Sequence, residues 1–330
     1  MCTSLLRRVG PLAVVAAVTA GPALAGSASP PCSLAYVLQA DRLSANRLDA
    51  LDQLARTRRD MLVIDRVYAG LDATWSIPEL ESLRRARAGR RVLAYFSIGE
   101  AEDYRPYWQR DWGFTADGTA QAATPSFVVA PNPDWPGNYK VRYWTREWQA
   151  LALADLERLV EQEFDGVYLD IVDAFQYFEH DRETDAWLAM RKNPATGRSY
   201  REDMVRWVGR VARHARARRE EFLVVPQNGS ALLHFPAYLQ TIDAIAVEDL
   251  FTLDDAPQAR EHTVSVLADL ELARASRKPV FVIEYATDPA LRARARDEAA
   301  ARGFVLLFSD RALTTLGTSV APPQCAQPSD

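Results

Sequence analysis

The sequence predicts an α/β fold, a (β/α)8 TIM barrel, on three observations. Eight short apolar runs alternate with helical stretches along most of the 330-residue chain. Most of those runs end in an acid or an amide, the arrangement expected where strand ends carry chemistry. No Gly-rich dinucleotide turn is present, as the open doubly wound alternative would lead one to look for.

In chain order, the runs are Leu34 to Leu38, Met61 to Ile64, Val92 to Phe96, Val167 to Leu169, Phe222 to Pro226, Ala244 to Val247, Val280 to Ile283 and Phe304 to Phe308. Ser44 is placed to cap a helix through Leu48, Leu51 and Leu54, and Ser76-Ile77-Pro78-Glu79 reads as a second helix start. The third run leads into Ser97-Ile98-Gly99-Glu100, after which the rhythm breaks for about 45 residues, long for a βα connection. This aromatic-rich insertion holds Trp108, Trp112, Trp135 and Trp144 with Tyr104, Tyr107, Tyr139 and Tyr143. Such a loop is either a sugar-stacking surface or a packed flap. Thr145 then opens a helix from Arg146 to Glu163, and Asp165-Gly166 turns into the fourth run. A polar excursion, Glu179 to Ser199, precedes the next helix, and Asp288-Pro289 is an N-cap and N1 pair for the helix ending near Gly303. A short tail helix is expected after the last run.

Ahead of the first run, Arg7-Arg8, the apolar stretch Val9 to Ala20 and the small-x-small site Ala23-Leu24-Ala25 read as a secretory signal peptide over residues 1–25. It is too short for a membrane span and lacks a stop-transfer pattern. Residues 26–330 then form a single domain, expected to be monomeric, secreted or periplasmic. Loss of Arg7 and Arg8 takes the net charge from −5 to −7, which disfavours nucleic acid or an anionic membrane as partner. Cys32 and Cys325, near the two ends of the mature chain, are expected to pair as a disulfide in an oxidising compartment; two separate thiols are the alternative.

The fourth run carries the main signal. It breaks at Asp170, with Asp173 three residues on, and a carboxylate emerging from a buried strand is costly unless paired or at work. The other strand ends offer Asp65, Ser97, Glu100, Asn228, Glu248, Asp249, Glu284, Tyr285 and Asp310. The plain alternative for any one acid is a helix cap or an arginine partner, and Asp249 and Asp310 fit that best. Four histidines in helical or loop context argue against a His-rich zinc site, so no metal or cofactor is expected. The three lysines, Lys140, Lys192 and Lys278, stand away from strand ends and offer no Schiff-base nucleophile. Neither a G-x-S-x-G elbow nor a phosphate loop is present. Carboxylate chemistry remains, on a glycosidic bond or at a hard divalent metal held by Asp170, Asp173 and Glu248. A non-catalytic carbohydrate-binding barrel is a third possibility.

The strings AYFSIGEAEDYR (94–105), FDGVYLDIVDAFQYF (164–178), QNG (227–229), EDLF (248–251) and EYA (284–286) resemble the pattern of glycoside hydrolase family 114, which includes endo-α-1,4-polygalactosaminidases. Thr252 stands where that pattern favours an aromatic, and Thr314 where an acid is common. The resemblance implies a catalytic pair at Asp170 and Glu248, a barrel fold and a galactosamine polymer as substrate. The chemistry of the residues agrees: one carboxylate kept ionised as nucleophile, Asp170, and one kept protonated as general acid/base, Glu248, with retention the expected outcome. Asp65, Glu100, Asp173 and Glu284 around them would repel a uronate and favour a cationic amino sugar. Tyr95, Ser97, Tyr143, Trp144, Asn228 and Tyr285 complete the expected substrate-contacting set.

Overall fold

The computed structural model describes residues 30–70 and 72–325, so the signal-peptide reading of residues 1–25 lies outside the described residues. Eight parallel strands follow in chain order: β1 (Leu34–Val37), β2 (Met61–Ile64), β3 (Arg91–Ser97), β4 (Gly166–Asp170), β5 (Leu223–Pro226), β6 (Ile245–Glu248), β7 (Val280–Glu284) and β8 (Val305–Phe308). β1 to β5 form one sheet in that order, and β6 to β8 a second whose edge is completed by the antiparallel strand Thr318–Val320. The sheets meet at a parallel bridge from Gln227 to Ala246, where Asn228 N donates to the Ala246 carbonyl at 2.8 Å. At the other edges, Leu34 N on β1 donates to Ser319 Oγ at 3.1 Å. The result is an α/β fold with parallel sheets.

The strands carry apolar residues at successive positions because both of their faces are covered. Alternate side chains enter two separate clusters. One is built almost wholly from strand residues and draws on all eight strands: Tyr36, Val63, Tyr95, Tyr168, Val225, Ala246, Ile283 and Leu307 belong to it. The other joins the opposite strand faces, such as Val37, Ile64, Val167 and Val282, to the helices through Leu54, Leu83, Leu156 and Trp207. Burying a large aliphatic or aromatic side chain stabilises the fold by about 1.5–3 kcal/mol, so these clusters dominate its cohesion.

Helix ends follow local chemistry with one change from expectation. Asn46 rather than Ser44 caps Arg47–Arg56, its Oδ1 accepting from Leu48 N and Asp49 N at 2.9 and 3.3 Å. Asn46 directly precedes the helix in an extended conformation, while Ser44 is spent accepting from Asn46 N at 3.1 Å. Among the described residues after β8 there is no α-helix. Gly317, at φ +58°, reverses it into the strand Thr318–Val320, and a 3-10 turn, Pro323–Cys325, follows. Cys32 and Cys325 are joined as a disulfide with Cα atoms 5.8 Å apart.

Two connections stand out at the carboxyl ends of the strands. Between β3 and the helix Arg146–Glu161, the strands Glu100–Glu102, Asn138–Val141 and Val128–Pro131 form a small antiparallel sheet. Its aromatics pack mainly on one another: Trp108 stacks on Tyr139 at 4.4 Å, and Trp112 meets Phe127 edge-on at 5.8 Å, while Trp135 is exposed. Between β4 and the helix Tyr200–Arg216 lies a short hairpin, His180–Asp181 paired with Ala186–Trp187. Among the described residues no helix is long and apolar enough to cross a membrane.

Candidate active site

β4 ends on Asp170 and β6 on Glu248, so both carboxyls emerge at the same, carboxyl side of the sheets, with β5 between them. The backbone turns sharply at each exit. Ile171, Asn228 and Asp249, each just past a strand, adopt left-handed conformations at φ 55°, 59° and 52°. For β-branched Ile171 this is costly, about 1–3 kcal/mol, and such strain gathers at working sites. The turn at Ile171 is abutted by Gly99, where a Cβ would collide with the Ile171 carbonyl and the Ala174 side chain.

Both carboxyls are held by defined donors. Asp170 Oδ2 accepts from Tyr95 OH at 2.7 Å, and Oδ1 accepts from Ile171 N at 2.8 Å. Glu248 Oε1 accepts from Tyr285 OH. The Gln227 side-chain nitrogen donates to both acids, to Glu248 Oε2 at 2.6 Å and to Asp170 Oδ1 at 3.3 Å. The separation of those two oxygens therefore cannot exceed the two lengths combined, about 5.9 Å. Asn228 Oδ1 accepts from Glu248 N at 3.1 Å, fixing the backbone from which the acid projects.

Burial drives the electrostatics, because taking a carboxylate out of water favours its neutral form. The Asp170 carboxyl is pushed up to about 7; the Tyr95 hydroxyl and Ile171 N–H restrain it, and the charge of Asp173 adds to the rise. Glu248 is pushed up to about 8, first by burial and then by the neighbouring Asp170 charge, against the Tyr285 hydrogen bond and Arg311. Both carboxyls are therefore held well above the ordinary carboxylate range, and an ionised Asp170 disfavours ionisation of Glu248 beside it, so the pair retains a proton near neutral pH. Asp173, on the 3-10 turn Val172–Ala174, is raised to about 6 by burial and by Glu100, with Lys140 opposing.

Several residues expected to contact substrate have partners within the protein. Asp65 is held by a bidentate pair to Arg105, at 3.0 and 2.7 Å. Glu100 is buried and accepts from Lys140 Nζ at 2.7 Å and Asn132 Nδ2 at 3.0 Å. Glu284 is buried under the β6 connection, accepting from Phe251 N at 2.8 Å, Thr252 N at 3.1 Å and the Thr252 hydroxyl. Ser97 is buried with its hydroxyl on the Glu100 carbonyl at 3.0 Å. Tyr143 is buried, its hydroxyl on the Tyr200 carbonyl at 2.8 Å. All five are thus engaged within the protein, Asp65 and Glu100 by cations and Glu284, Ser97 and Tyr143 by neutral groups. Trp144 stays partly exposed, edge-on to Phe178 at 4.7 Å. Asp249 pairs with Arg311, and Asp310 caps the turn at Thr314 and Thr315. Among the described residues no three His, Cys, Asp or Glu side chains are grouped to hold a metal ion, and Asp170, Asp173 and Glu248 accordingly form no such group.

Gln227 and Arg311 are site residues that sequence reasoning passed over. The signal for Gln227 was the period of two: Leu223 and Val225 enter the strand-only cluster, so the next alternate residue points the same way, at the strand exit.

Residues 56–325 match the model of Glycoside-hydrolase family GH114. An uncharacterized protein of Deinococcus radiodurans is 38% identical over 235 residues, covering 71% of this chain and 68% of its own. One from Thermotoga maritima is 34% identical over 233 residues, covering 69% and 65%. The chain thus spans about two thirds of these relatives' lengths. Among solved structures, the glycoside hydrolase domain of PelA from Pseudomonas aeruginosa shares the fold at TM-score 0.61 and 20% identity, covering 88% of this chain and 98% of that one. Aspergillus fumigatus Ega3, in complex with galactosamine, does so at TM-score 0.58 and 18% identity, covering 91% and 100%. With most of its length matched to one family model, this chain belongs to glycoside hydrolase family GH114.

Proposed function

We propose that this chain is an exported, monomeric glycoside hydrolase that cleaves an amino-sugar polysaccharide resembling α-1,4-linked galactosamine polymer. Its catalytic pair is Asp170 as nucleophile and Glu248 as general acid/base. One observation carries the proposal: a single Gln227 nitrogen reaches both carboxyls, so they stand within about 5.9 Å at their bridged oxygens. That upper limit admits the about 5–5.5 Å of retaining glycosidases and lies below the about 6.5–9.5 Å of inverting ones.

In the first step an Asp170 oxygen attacks the anomeric carbon, the glycosidic C–O bond breaks, and Glu248 gives its proton to the departing oxygen. In the second, Glu248, now ionised, takes a proton from water. The water oxygen bonds the anomeric carbon and the Asp170 ester bond breaks, so both acids return to their starting states with the anomeric configuration retained. The charge of an ionised Asp170 favours the protonated form of Glu248, which supports this division of roles.

Family membership supports a carbohydrate substrate, and the fold shared with a protein crystallised with galactosamine supports an amino sugar. Asp173, on the turn directly after β4, is an acid placed to face a substrate ammonium. Trp144 and Tyr285 remain as surfaces for a sugar ring. The strand-only cluster fed by all eight strands supports reading residues 26–330 as one closed (β/α)8 barrel, with residues 100–145 inserted after β3. The Cys32–Cys325 bond supports export to an oxidising compartment.

The test is incubation with de-N-acetylated galactosamine polymer, followed by mass spectrometry. Shortened chains are expected from the wild type and, to within background, none from Asp170→Asn. An unchanged polymer, or an Asp170→Asn variant of near-normal activity, removes the proposal.

A further inference from the structure

Each carboxyl of the pair is gripped by a tyrosine, and each tyrosine is covered by an arginine that two further acids hold in place. On the Glu248 side, Tyr285 donates its hydroxyl to Oε1, and the Arg311 guanidinium lies 4.3 Å from the Tyr285 ring centroid. Arg311 is fixed by both oxygens of Asp249, each at 3.0 Å, and by Asp254 at 2.8 and 3.1 Å. On the Asp170 side, Tyr95 donates to Oδ2 at 2.7 Å, and Arg105 lies 5.8 Å from the Tyr95 ring centroid. Arg105 is fixed by both oxygens of Asp65, at 3.0 and 2.7 Å, and by Glu102 at 2.5 Å. The two assemblies share one plan, a tyrosine under an arginine held by two acids, although Arg105 also lies 5.1 Å from the Tyr104 ring centroid; one comes from β2, β3 and the connection after β3, the other from the exits of β6, β7 and β8.

We propose that Arg105 and Arg311 are positioning residues that clamp the rings of Tyr95 and Tyr285, and so hold the two phenol hydroxyls on Asp170 and Glu248; this rests on the paired-carboxylate reading above. A phenol hinged only at its Cβ can swing its hydroxyl off a carboxyl oxygen. A guanidinium over the ring opposes that swing, and only Arg combines a planar stacking face with the fork that grips two acids. A phenol donor also favours the ionised form of the acid it touches. The charged and titratable groups facing Glu248 are Asp170 from β4, Asp249 beside it, Tyr285 from β7 and Arg311 from beyond β8, with Tyr36 and Tyr168 below. The two clamps differ in burial: the Arg105 side chain is 7% exposed and that of Arg311 40%. Arg311 is therefore the one that can be exchanged without disturbing the core.

Arg311→Met, Arg311→Lys, Tyr285→Phe and the double variant Arg311→Met with Tyr285→Phe separate the clamp from a merely structural role. Folding is checked by circular dichroism, kcat/KM on galactosamine polymer is followed against pH, and the Glu248 carboxyl is titrated by 13C NMR. Arg311→Met is expected to lower kcat/KM about tenfold and move the basic limb and the Glu248 midpoint to higher pH, with Arg311→Lys failing to restore kcat/KM. In the Tyr285→Phe background the same exchange is expected to cost no further activity. Losses that multiply, or a Glu248 midpoint unmoved by Arg311→Met, overturn the clamp. The NMR titration needs no turnover: a Glu248 midpoint that Arg311→Met moves as far in the Tyr285→Phe background as in the wild type reports only the direct charge of Arg311 and overturns the clamp, even if the wild type cleaves no such polymer, a result that counts against the proposed function alone.

Discussion

Exchanging Glu248 for Gln should stabilise the folded protein at high pH and do little at low pH. In the folded state the Glu248 carboxyl is raised from 4.5 to about 8, chiefly by burial. Between those values the folded state keeps a proton that the unfolded chain has lost, so stability falls as pH rises from about 4.5 to about 8 and is level beyond. At about 1.4 kcal/mol per unit, the ceiling of this cost is roughly 5 kcal/mol. Glu248 retains some contact with solvent, and part of the rise comes from Asp170, so a cost of about 2 kcal/mol is the working figure. Glutamine carries no charge to bury and escapes that cost. The bonds that the ionised carboxylate accepts from Tyr285 and Gln227 are already contained in its raised value, and Gln does not titrate, so any contact Gln loses against the neutral acid is the same at both pH values. The informative quantity is therefore the change in Tm on substitution at pH 9 minus that at pH 5. About 2 kcal/mol corresponds to roughly 5 °C in a domain of this size. Melts followed by circular dichroism at matched ionic strength measure it. Equal changes in Tm at the two pH values, or a larger loss at pH 9, would refute the electrostatic reasoning.

The two raised carboxyls make the pH profile of kcat/KM bell-shaped with its maximum between about 7 and 8, the limbs belonging to the Asp170–Glu248 pair as a unit; a rate that climbs steadily from pH 5 to 10 contradicts it. Gln227→Ala removes the amide shared by the two acids, and kcat should drop about a hundredfold with KM changed far less, as measured by steady-state kinetics. Normal kcat in that variant would make Gln227 a bystander. Reducing the Cys32–Cys325 bond, which spans 293 positions of sequence, should lower stability by roughly 2–5 kcal/mol. Because Cys32 lies before the start of β1, away from the strand exits, activity below the melting range should survive reduction; a parallel loss of both would tie the bond to the site.

What the sequence made legible is what short-range chemistry determines. The eight strands could be read because runs such as Val280 to Ile283 are apolar at every position, the mark of burial on two faces. Asp170 and Glu248 were readable because each interrupts such a run at its exit. The acids whose partners were not legible share one feature, a partner far off in sequence. Asp65 meets Arg105 and Glu100 meets Lys140 across 40 residues, and Glu284 meets Thr252 across 32. Nothing local distinguishes these neutralised or enclosed carboxylates from a free one such as Asp173. The loss of Asp65, Glu100 and Glu284 from the exposed charge shifts the case for a cationic sugar onto Asp173 and the pair itself. Thr252, where the family pattern favours an aromatic, has a definite use here, closing the shell around Glu284.

The central claim, that Asp170 becomes bonded to the sugar while Glu248 manages the proton, is tested most directly by trapping the glycosyl-enzyme. In Glu248→Gln, an activated α-galactosaminide needs no acid to depart, but the second step lacks its base, so the ester should accumulate. Intact-protein mass spectrometry is expected to show one added glycosyl unit, and peptide mapping to locate it on Asp170. An adduct on another residue, or turnover to product of inverted configuration with no adduct at all, would contradict the assignment.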